Sequence, residues 1–386
     1  MSLKVSKRRE LVAQSEIRSM SIECDRVDGI NLSQGVCDTE IPIIVRQGAH
    51  AAMENGINTY TRYDGLAELR SAIAAKQERF TGMKVDSERE VIVSAGATGA
   101  LLCTCLALLN PGDEVIVFEP FYGYHISTME TTQAVPVYIK TDPPEWKFSY
   151  EDLEKKRTGK TRAILVSTPS NPSGKVFSSN ELDMIATFAS EHDLFVITDE
   201  IYEHFIYDGL RHIAPATLPG MKNRTITISG VSKTYSITGW RVGYCICDAE
   251  WAETIGYFND LIYVCAPAPL QMGVAEGLLN IGGEYYENLA RDYERKRDKI
   301  CDALSRAGLE PYIPQGAYYV LADISGVSGA TGKDKAMTLL YETKIACVPG
   351  EAFFQNGGGE TLGRFCFAKD DEVLEEACRR LIKLRT

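Results

Sequence analysis

The stretch Arg162–Tyr202, RAILVSTPSNPSGKVFSSNELDMIATFASEHDLFVITDEIY, carries the clearest information about the fold of this 386-residue chain. It begins with an apolar run at Arg162–Val166, continues as a helical pattern at Ser179–His192 and ends with an apolar run at Leu194–Thr198. Strands that are apolar throughout and are separated by a helix are typical of neighbouring parallel strands buried on both faces. The stretch therefore predicts one β-α-β unit of an open α/β sheet.

The same alternation recurs on both sides of that unit. Five further apolar runs predict strands, at Glu90–Ser94, Glu114–Phe118, Val135–Ile139, Thr225–Ser229 and Val242–Cys247. The pattern predicts an α/β fold, with a large domain at residues 45–280 that holds a mostly parallel seven-stranded sheet between helices. Long helical patterns and one strand-like segment then predict a smaller α+β domain at residues 281–386. Residues 1–44 are expected to form an N-terminal arm and part of that smaller domain.

Composition and charge limit the class of protein. Hydrophobic residues make up 45% and charged residues 24%, which are ordinary globular proportions. The formal net charge is −12, so neither a nucleic acid nor an anionic membrane is expected as a partner. No apolar run predicts a membrane-spanning helix, and the N-terminal MSLKVSKRRELVAQ lacks the apolar core of a signal peptide. We therefore expect a cytoplasmic protein.

The cysteines and glycines do not predict a metal or nucleotide site. The eleven cysteines are scattered without any CxxC, and the five histidines are dispersed. No metal site is expected, and the thiols are expected to be reduced and buried. The glycine-rich stretch Gly326–Lys333 departs from the GxxxxGK[ST] pattern and is expected to be a loop. No GxGxxG follows a strand, so dinucleotide cofactors lack their usual motif.

Two charged residues follow predicted strands and point to chemistry. Lys233 lies in SGVSKTYSITGWRVGY, among small and hydroxylated residues, where partial desolvation would lower its pKa and make its amine nucleophilic. Asp199 stands at the carboxyl end of a strand, which is the edge where open parallel sheets bind ligands. Taken alone, the lysine could be a surface residue and the aspartate could cap the next helix.

Three further loops also follow strands. SAGATGA at Ser94–Ala100 places N–H groups at a helix N-terminus, where a small phosphate can bind. EPFYGY at Glu119–Tyr124 can offer an aromatic face to a flat heterocycle, or can pack in the core. STPSNPSGK at Ser167–Lys175 can present the amide of Asn171 from a rigid turn, although such turns are also common without a function.

Together these motifs resemble those of class I/II aminotransferases, the fold-type-I enzymes that use pyridoxal 5′-phosphate (PLP). Eight segments stand in the family's order: NLSQG, YTRYDGLAELR, SAGAT, EPFYGY, NPSGK, TDEIY, SKTYSITGWRVGY and RFCFA. The resemblance implies PLP as cofactor and a transaminase of amino acid metabolism and biosynthesis. It implies transfer of an amino group between an L-amino acid and a 2-oxo acid by a ping-pong mechanism. The GWRVGY form is most similar to the branch with aspartate, aromatic, alanine and kynurenine/glutamine transaminases.

The resemblance implies roles for residues around the cofactor ring. Lys233 matches the lysine that forms the internal aldimine with PLP and moves the proton at the substrate Cα. Asp199 matches the carboxylate paired with the pyridine nitrogen. Asn171 and Tyr202 match the pair that hydrogen-bonds the cofactor's O3′, and Tyr122 matches the ring stacked on its face.

The resemblance also implies a phosphate site and a shared active site. The phosphate would be held by Arg241 and by backbone at Gly96, Ala97 and Thr98. Many relatives carry a phosphate-binding serine where this chain has Gly230, so the flanking Ser229 and Ser232 are both candidates. Tyr60 matches a tyrosine that reaches the phosphate of the neighbouring subunit, which implies a homodimer.

The substrate's α-carboxylate would bind to Arg364, to Asn171 and to the backbone of Gly35. Relatives that act on acidic substrates carry a second cation, and one family position for it holds the uncharged Thr98 here. Arg18, Arg62 or a residue of the partner could replace that cation. An aromatic or apolar pocket could instead form from Tyr63, Tyr318, Tyr319 and Phe353. Such a pocket favours neutral or aromatic amino acids as substrates.

Two alternative functions remain open. A PLP-dependent lyase that cleaves a β-carbon–sulfur bond, or a related carbanion-forming synthase, would share Lys233, Asp199 and the arginines. The complete NPSGK and TGWRVGY motifs favour transfer over elimination. A non-enzymatic regulator built on a PLP domain would carry a DNA-binding module ahead of it, and only about 30 residues precede NLSQG.

Overall fold

The computed structural model describes residues 3–11, 15–355 and 357–385. The strands in these ranges are β1 (Ile30–Asn31), β2 (Val91–Ala95), β3 (Glu114–Glu119), β4 (Val135–Lys140), β5 (Thr161–Ser167), β6 (Phe195–Asp199), β7 (Thr225–Ser229), β8 (Val242–Ile246), β9 (Glu310–Tyr312), β10 (Tyr319–Asp323), β11 (Ile345–Ala346), β12 (Val348–Pro349) and β13 (Leu362–Cys366). The α-helices are α1 (Glu16–Arg26), α2 (Ile43–Glu54), α3 (Ala67–Thr81), α4 (Gly96–Leu108), α5 (Gly123–Thr131), α6 (Tyr150–Lys156), α7 (Ser179–Glu191), α8 (Ala249–Tyr263), α9 (Ala268–Asn280), α10 (Gly283–Ala307), α11 (Gly332–Thr343) and α12 (Asp371–Leu381).

Seven strands form the large sheet, in the order β2-β8-β7-β6-β5-β3-β4. The four pairings from β7 to β4 are parallel, whereas β8 runs antiparallel to β7 and β2. The central strands carry apolar side chains on both faces, and Ile164, Val196 and Ile226 are all fully buried. The predicted α/β fold with a mostly parallel seven-stranded sheet is confirmed.

Local sequence explains where the crossover helix α7 begins and which face it buries. Ser178 caps the helix and forms a capping box with Glu181, an arrangement that contributes about 1 kcal/mol. Leu182, Ile185 and Phe188 recur at helical spacing and are buried against the sheet strands. The helix therefore lies close to its predicted range.

A smaller domain packs against one end of this sheet. It contains an antiparallel four-stranded sheet in the order β12-β13-β10-β9, and α10 packs against α12 beside it. Near the N-terminus, β1 pairs in parallel with β11, so the NLSQG segment joins the C-terminal part of the chain. The Gly326–Lys333 stretch is only partly a loop, because Thr331 caps α11, which begins at Gly332.

The cysteines and the helices show two further features of the fold. All eleven cysteines are free thiols, and every one except the half-buried Cys265 is buried. No helix in the described ranges is both long and apolar enough to cross a membrane. The carboxyl ends of the parallel strands β3, β5, β6 and β7 meet at one edge of the large sheet, beside the smaller domain.

Candidate active site

Asp199 ends β6 and is fixed by two hydrogen bonds at that edge. Its Oδ1 accepts a hydrogen bond from the backbone N–H of Ile201 at 3.2 Å. Its Oδ2 lies 2.8 Å from Nε2 of His125, a buried side chain on α5. The sequence analysis did not single out His125, because no spacing rule connects it with a residue 74 positions away.

Lys233 follows β7 and points towards the NLSQG segment. Its Nζ donates a hydrogen bond to the backbone oxygen of Gly35 at 3.3 Å. Burial lowers the pKa of the Lys233 amine, and the nearby charge of Arg241 lowers it further. A lysine in this state loses its proton more readily than a surface lysine, so its amine is closer to a nucleophile and a base.

The N-terminus of α4 and Arg241 together form an anion site. Gly96 begins α4 with φ +73°, and a Cβ there would lie only 2.4 Å from Nη2 of Arg241. The guanidinium therefore lies directly against the start of the helix, and its Nη1 donates to the backbone oxygen of Thr238 at 3.0 Å. The first N–H groups of α4, at Gly96, Ala97 and Thr98, have no acceptor within the helix and can bind an anion.

The two candidate serines near Lys233 have different partners. Ser229 Oγ donates to Oε1 of the buried Glu203 at 2.9 Å. Ser232 Oγ lies 3.4 Å from the backbone oxygen of Val242, next to Arg241 in the chain. Ser229 is therefore committed to a carboxylate, whereas Ser232 contacts a backbone oxygen.

Aromatic side chains occupy the neighbouring part of the site. The Tyr122 ring packs edge-on against His125, with 5.3 Å between the ring centroids. Tyr202 Oη lies 3.0 Å from Tyr319 Oη. Burial raises the pKa of Tyr202, and it raises the pKa of Tyr319 to about 12, so both phenols stay protonated near neutral pH.

Arg364, on β13, is fully buried beside these groups. Its Nη1 donates to Oδ1 of Asn171 at 2.8 Å, and its Nη2 donates to the backbone oxygen of Ser33 at 2.6 Å. The guanidinium carbon lies 4.2 Å from the ring centre of Tyr319 and 5.0 Å from that of Phe353. Its Nε has no hydrogen-bond partner among the described residues, so the group is held in place with a donor left for an anion.

Gly35 brings the NLSQG segment close to this arginine. A Cβ at Gly35 would lie 1.7 Å from Tyr319 Oη, so a larger residue would force the buried Tyr319 ring to move. Its backbone oxygen accepts hydrogen bonds from Lys233 and, at 3.2 Å, from Tyr318 Oη. Gly35 thus links Lys233, which follows β7 of the large sheet, to Tyr318, which precedes β10 of the four-stranded sheet.

Some residues considered in the sequence analysis lie elsewhere. Tyr60 is 81% exposed. Tyr63 packs against Tyr257, with 5.8 Å between the ring centroids. Arg62 forms ion pairs with Asp64 and Glu88, so it is already neutralised.

A buried polar cluster lies behind the turn that carries Asp199 and Tyr202. Glu203 accepts a 2.5 Å hydrogen bond from Lys76, and His212 lies 2.6 Å from Glu200. Ligand atoms of Glu200, Glu203 and His212 lie within 4.8 Å of one another, close enough to hold a metal ion. The Lys76 ammonium already supplies positive charge to this cluster and pairs with Glu203. The expectation that the chain binds no metal is not tested by this geometry and stays a prediction.

The fold and the site define an enzyme in which a desolvated lysine, an anion site and a buried arginine meet at a sheet edge. The profile of the family described as "Aminotransferase class I and II" matches residues 27–381. The chain belongs to this family.

Similar proteins agree with this assignment over nearly the whole chain. The aspartate aminotransferase of Pyrococcus abyssi is 35% identical over 98% of both chains. The aromatic-amino-acid aminotransferase 2 of Thermococcus litoralis is 34% identical, also over 98% of both. The solved N-succinyldiaminopimelate aminotransferase of Mycobacterium tuberculosis has a TM-score of 0.94 at 33% identity and covers 99% of this chain and 100% of its own. The protein is therefore an aminotransferase, and the lyase alternative is not favoured.

Proposed function

We propose that this aminotransferase uses PLP, with Lys233 as the residue that attaches it. The observation that carries the proposal is the meeting of Lys233, Asp199 and the α4 anion site at one sheet edge. The donor set fits the cofactor, because Gly96 lets the Arg241 guanidinium lie against the free N–H groups of α4, and Ser232 adds a hydroxyl close to Val242 in the next segment. Tyr122 would stack on the face of the cofactor ring, and Asn171 and Tyr202 would hydrogen-bond the cofactor's O3′.

Bound PLP supplies a pyridine ring that withdraws electrons from the substrate Cα and so allows the amino group to be exchanged. The protein's own groups move and hold the protons. The Lys233 amine, whose pKa burial lowers, can accept the proton from the substrate Cα and return it. Asp199, fixed by His125 and the Ile201 N–H, holds a proton at the pyridine nitrogen.

Arg364 would bind the α-carboxylate of each substrate in turn, with Asn171 and the backbone of Gly35 beside it. We infer a neutral or aromatic L-amino acid as donor and a 2-oxo acid as acceptor. The rings of Tyr319 and Phe353 flank the arginine, and Thr98 adds no charge. Arg62 is already paired with two carboxylates, and this weakens its candidacy as a cation for an acidic side chain.

A homodimer with shared active sites is also proposed. Tyr60 is 81% exposed, and Leu261 and Tyr257 on α8 are 79% and 56% exposed. Large exposed apolar side chains in one region are typical of a protein interface. The domain boundaries near residues 44 and 280 and the cytoplasmic location remain predictions.

A single-turnover experiment tests the proposed reaction. PLP-loaded protein is mixed with a panel of L-amino acids while the cofactor absorbance, oxo acid, ammonia and sulfide are measured. Transfer yields stoichiometric oxo acid with no ammonia, whereas ammonia or sulfide release would make the enzyme a lyase. Lys233→Ala should abolish turnover, with the exposed Lys155→Ala as control. Asp199→Ala should keep the lysine-bound cofactor but slow Cα deprotonation by several orders of magnitude.

A further inference from the structure

Glu119 is a buried carboxylate that the reaction does not use. It ends β3, is 7% exposed and forms no ion pair with any described residue. Burial raises its pKa, as expected for a carboxylate without a cationic partner. Its side chain shares the wall of one cavity with Tyr122, His125 and Asn171, so it lies next to the site.

The partner of this carboxylate belongs to the smaller domain. Glu119 Oε1 accepts a hydrogen bond from the backbone N–H of Gln355 at 2.5 Å. Two residues after Glu119 and two residues before Gln355, the N–H of Phe121 donates to the backbone oxygen of Phe353 at 2.9 Å. We call residues 350–355 the strap; two hydrogen bonds thus fasten it to the end of β3.

The strap in turn covers the substrate-binding arginine. The Phe353 ring is 1% exposed, and its centre lies 5.0 Å from the guanidinium carbon of Arg364. The loop after β3, to which the strap is fastened, also carries Tyr122, whose ring packs edge-on against His125. One short loop therefore carries Tyr122 and also holds Phe353 against Arg364.

We propose that Glu119 is a positioning residue that keeps the strap closed over Arg364 and thereby strengthens binding of the substrate's α-carboxylate. The proposal rests on the proposed function of Arg364. An ion pair gains strength when water is excluded, and Phe353 excludes water from one face of the guanidinium. Without the acceptor on Glu119, the N–H of Gln355 is better satisfied by water, which favours an open strap.

Three substitutions at Glu119 distinguish the role of its hydrogen-bond acceptor oxygen from the role of its negative charge. Glu119→Gln keeps an oxygen at the same reach, so its KM for the amino acid should stay within about twofold of wild type. Glu119→Asp keeps the charge but shortens the reach, and Glu119→Ala removes the acceptor. Both should raise KM by about tenfold with kcat and PLP affinity nearly unchanged. Glu145→Ala is the matched control, since that nearby carboxylate is 64% exposed.

Hydrogen exchange of the cofactor-free protein provides a readout that does not depend on activity. Deuterium uptake at residues 350–355 should increase in Glu119→Asp and Glu119→Ala and stay unchanged in Glu119→Gln. Wild-type KM and uptake in the Asp variant would overturn the proposal even if the Ala variant does not fold. Equal impairment of the Gln and Asp variants would also overturn it, because an acceptor oxygen at the native reach would then be insufficient. Absence of transamination by wild type would refute the proposed function and leave the exchange result to judge the strap.

Discussion

Nε2 of His125 lies 2.8 Å from Oδ2 of Asp199, and both side chains are largely shielded from solvent. The histidine is therefore the side-chain partner of the carboxylate expected at the pyridine nitrogen. It also packs edge-on against Tyr122, so one ring fixes two groups of the proposed cofactor site. Asp199 needs this fixed orientation because a carboxylate that rotates freely would hydrogen-bond the pyridine nitrogen less well.

His125→Phe should slow the amino acid half-reaction by roughly 10- to 100-fold, since it removes one hydrogen bond to a charged group but keeps a ring against Tyr122. Stopped-flow absorbance measures that rate directly. His50→Phe is the control, because the His50 side chain is 72% exposed on α2. A wild-type half-reaction rate in His125→Phe would show that Asp199 does not depend on the histidine.

Arg364→Lys should raise KM for the amino acid by roughly 10- to 100-fold, through loss of hydrogen bonds to a charged partner. A lysine offers a point charge and cannot donate to Asn171, Ser33 and a carboxylate in one plane. Steady-state kinetics with the best donor measures the change, and PLP affinity should remain within about twofold of wild type. Arg306→Lys, at a 60% exposed position on α10, should leave KM unchanged. An unchanged KM in Arg364→Lys would place the carboxylate elsewhere.

Sequence patterns were most informative where a residue's position follows from its own strand. The predicted strand at Thr225–Ser229 matches β7, and the sequence places Asp199 at the end of β6 and Lys233 four residues after β7. Partners across the fold could not be predicted in the same way. His125 approaches Asp199 only because α5 folds back over the sheet edge, and the pairing of Ser229 with Glu203 depends on the turn after β6. Neither contact leaves a periodic signal in the sequence.

Lys76→Met should lower the free energy of unfolding by about 3–5 kcal/mol, because it leaves the buried Glu203 carboxylate unpaired. Urea denaturation measures the loss. Lys155→Met breaks an exposed pair with Glu151 on α6 and should cost less than about 1 kcal/mol. A double variant, Lys76→Met with Glu203→Leu, should recover much of the loss. Similar losses in the two lysine variants would mean that the buried pair contributes little.

The same cluster predicts a loss of stability in acid. Burial lowers the pKa of His204 to about 3, and its Nε2 has no hydrogen-bond partner among the described residues. Burial alone would raise the pKa of Glu203, but the charge of Lys76 lowers it to about 2. Both groups bind a proton more readily in the unfolded chain, so the free energy of unfolding falls as the pH falls. The decline begins near the ordinary pKa of each group, at about pH 6.5 for the histidine and about pH 4.3 for the carboxyl.

Urea denaturation at several pH values between 6.5 and 4.5 measures the contribution of His204 separately from that of Glu203. His204→Phe should reduce the pH dependence of the unfolding free energy there by up to ~1 kcal/mol per pH unit, whereas His50→Phe should not. Below pH 4.5, Glu203 should add a further decline that Glu203→Gln removes. An unchanged slope in His204→Phe would show that the native state protonates this ring at its ordinary pKa.

Subunit complementation tests whether Tyr60 serves the neighbouring site. Lys233→Ala and Tyr60→Ala should each be strongly impaired alone. In a mixed dimer, one site combines Lys233 from one chain with Tyr60 from the other and is intact. About half of the randomly paired dimers are mixed, so reassembled mixtures should regain about a quarter of wild-type activity. Lys233→Ala mixed with Asp199→Ala is the matched control: both residues lie in one chain's site, so neither site of the mixed dimer is intact. Recovery in the control, or none in the Tyr60 mixture, would place Tyr60 outside the neighbour's active site.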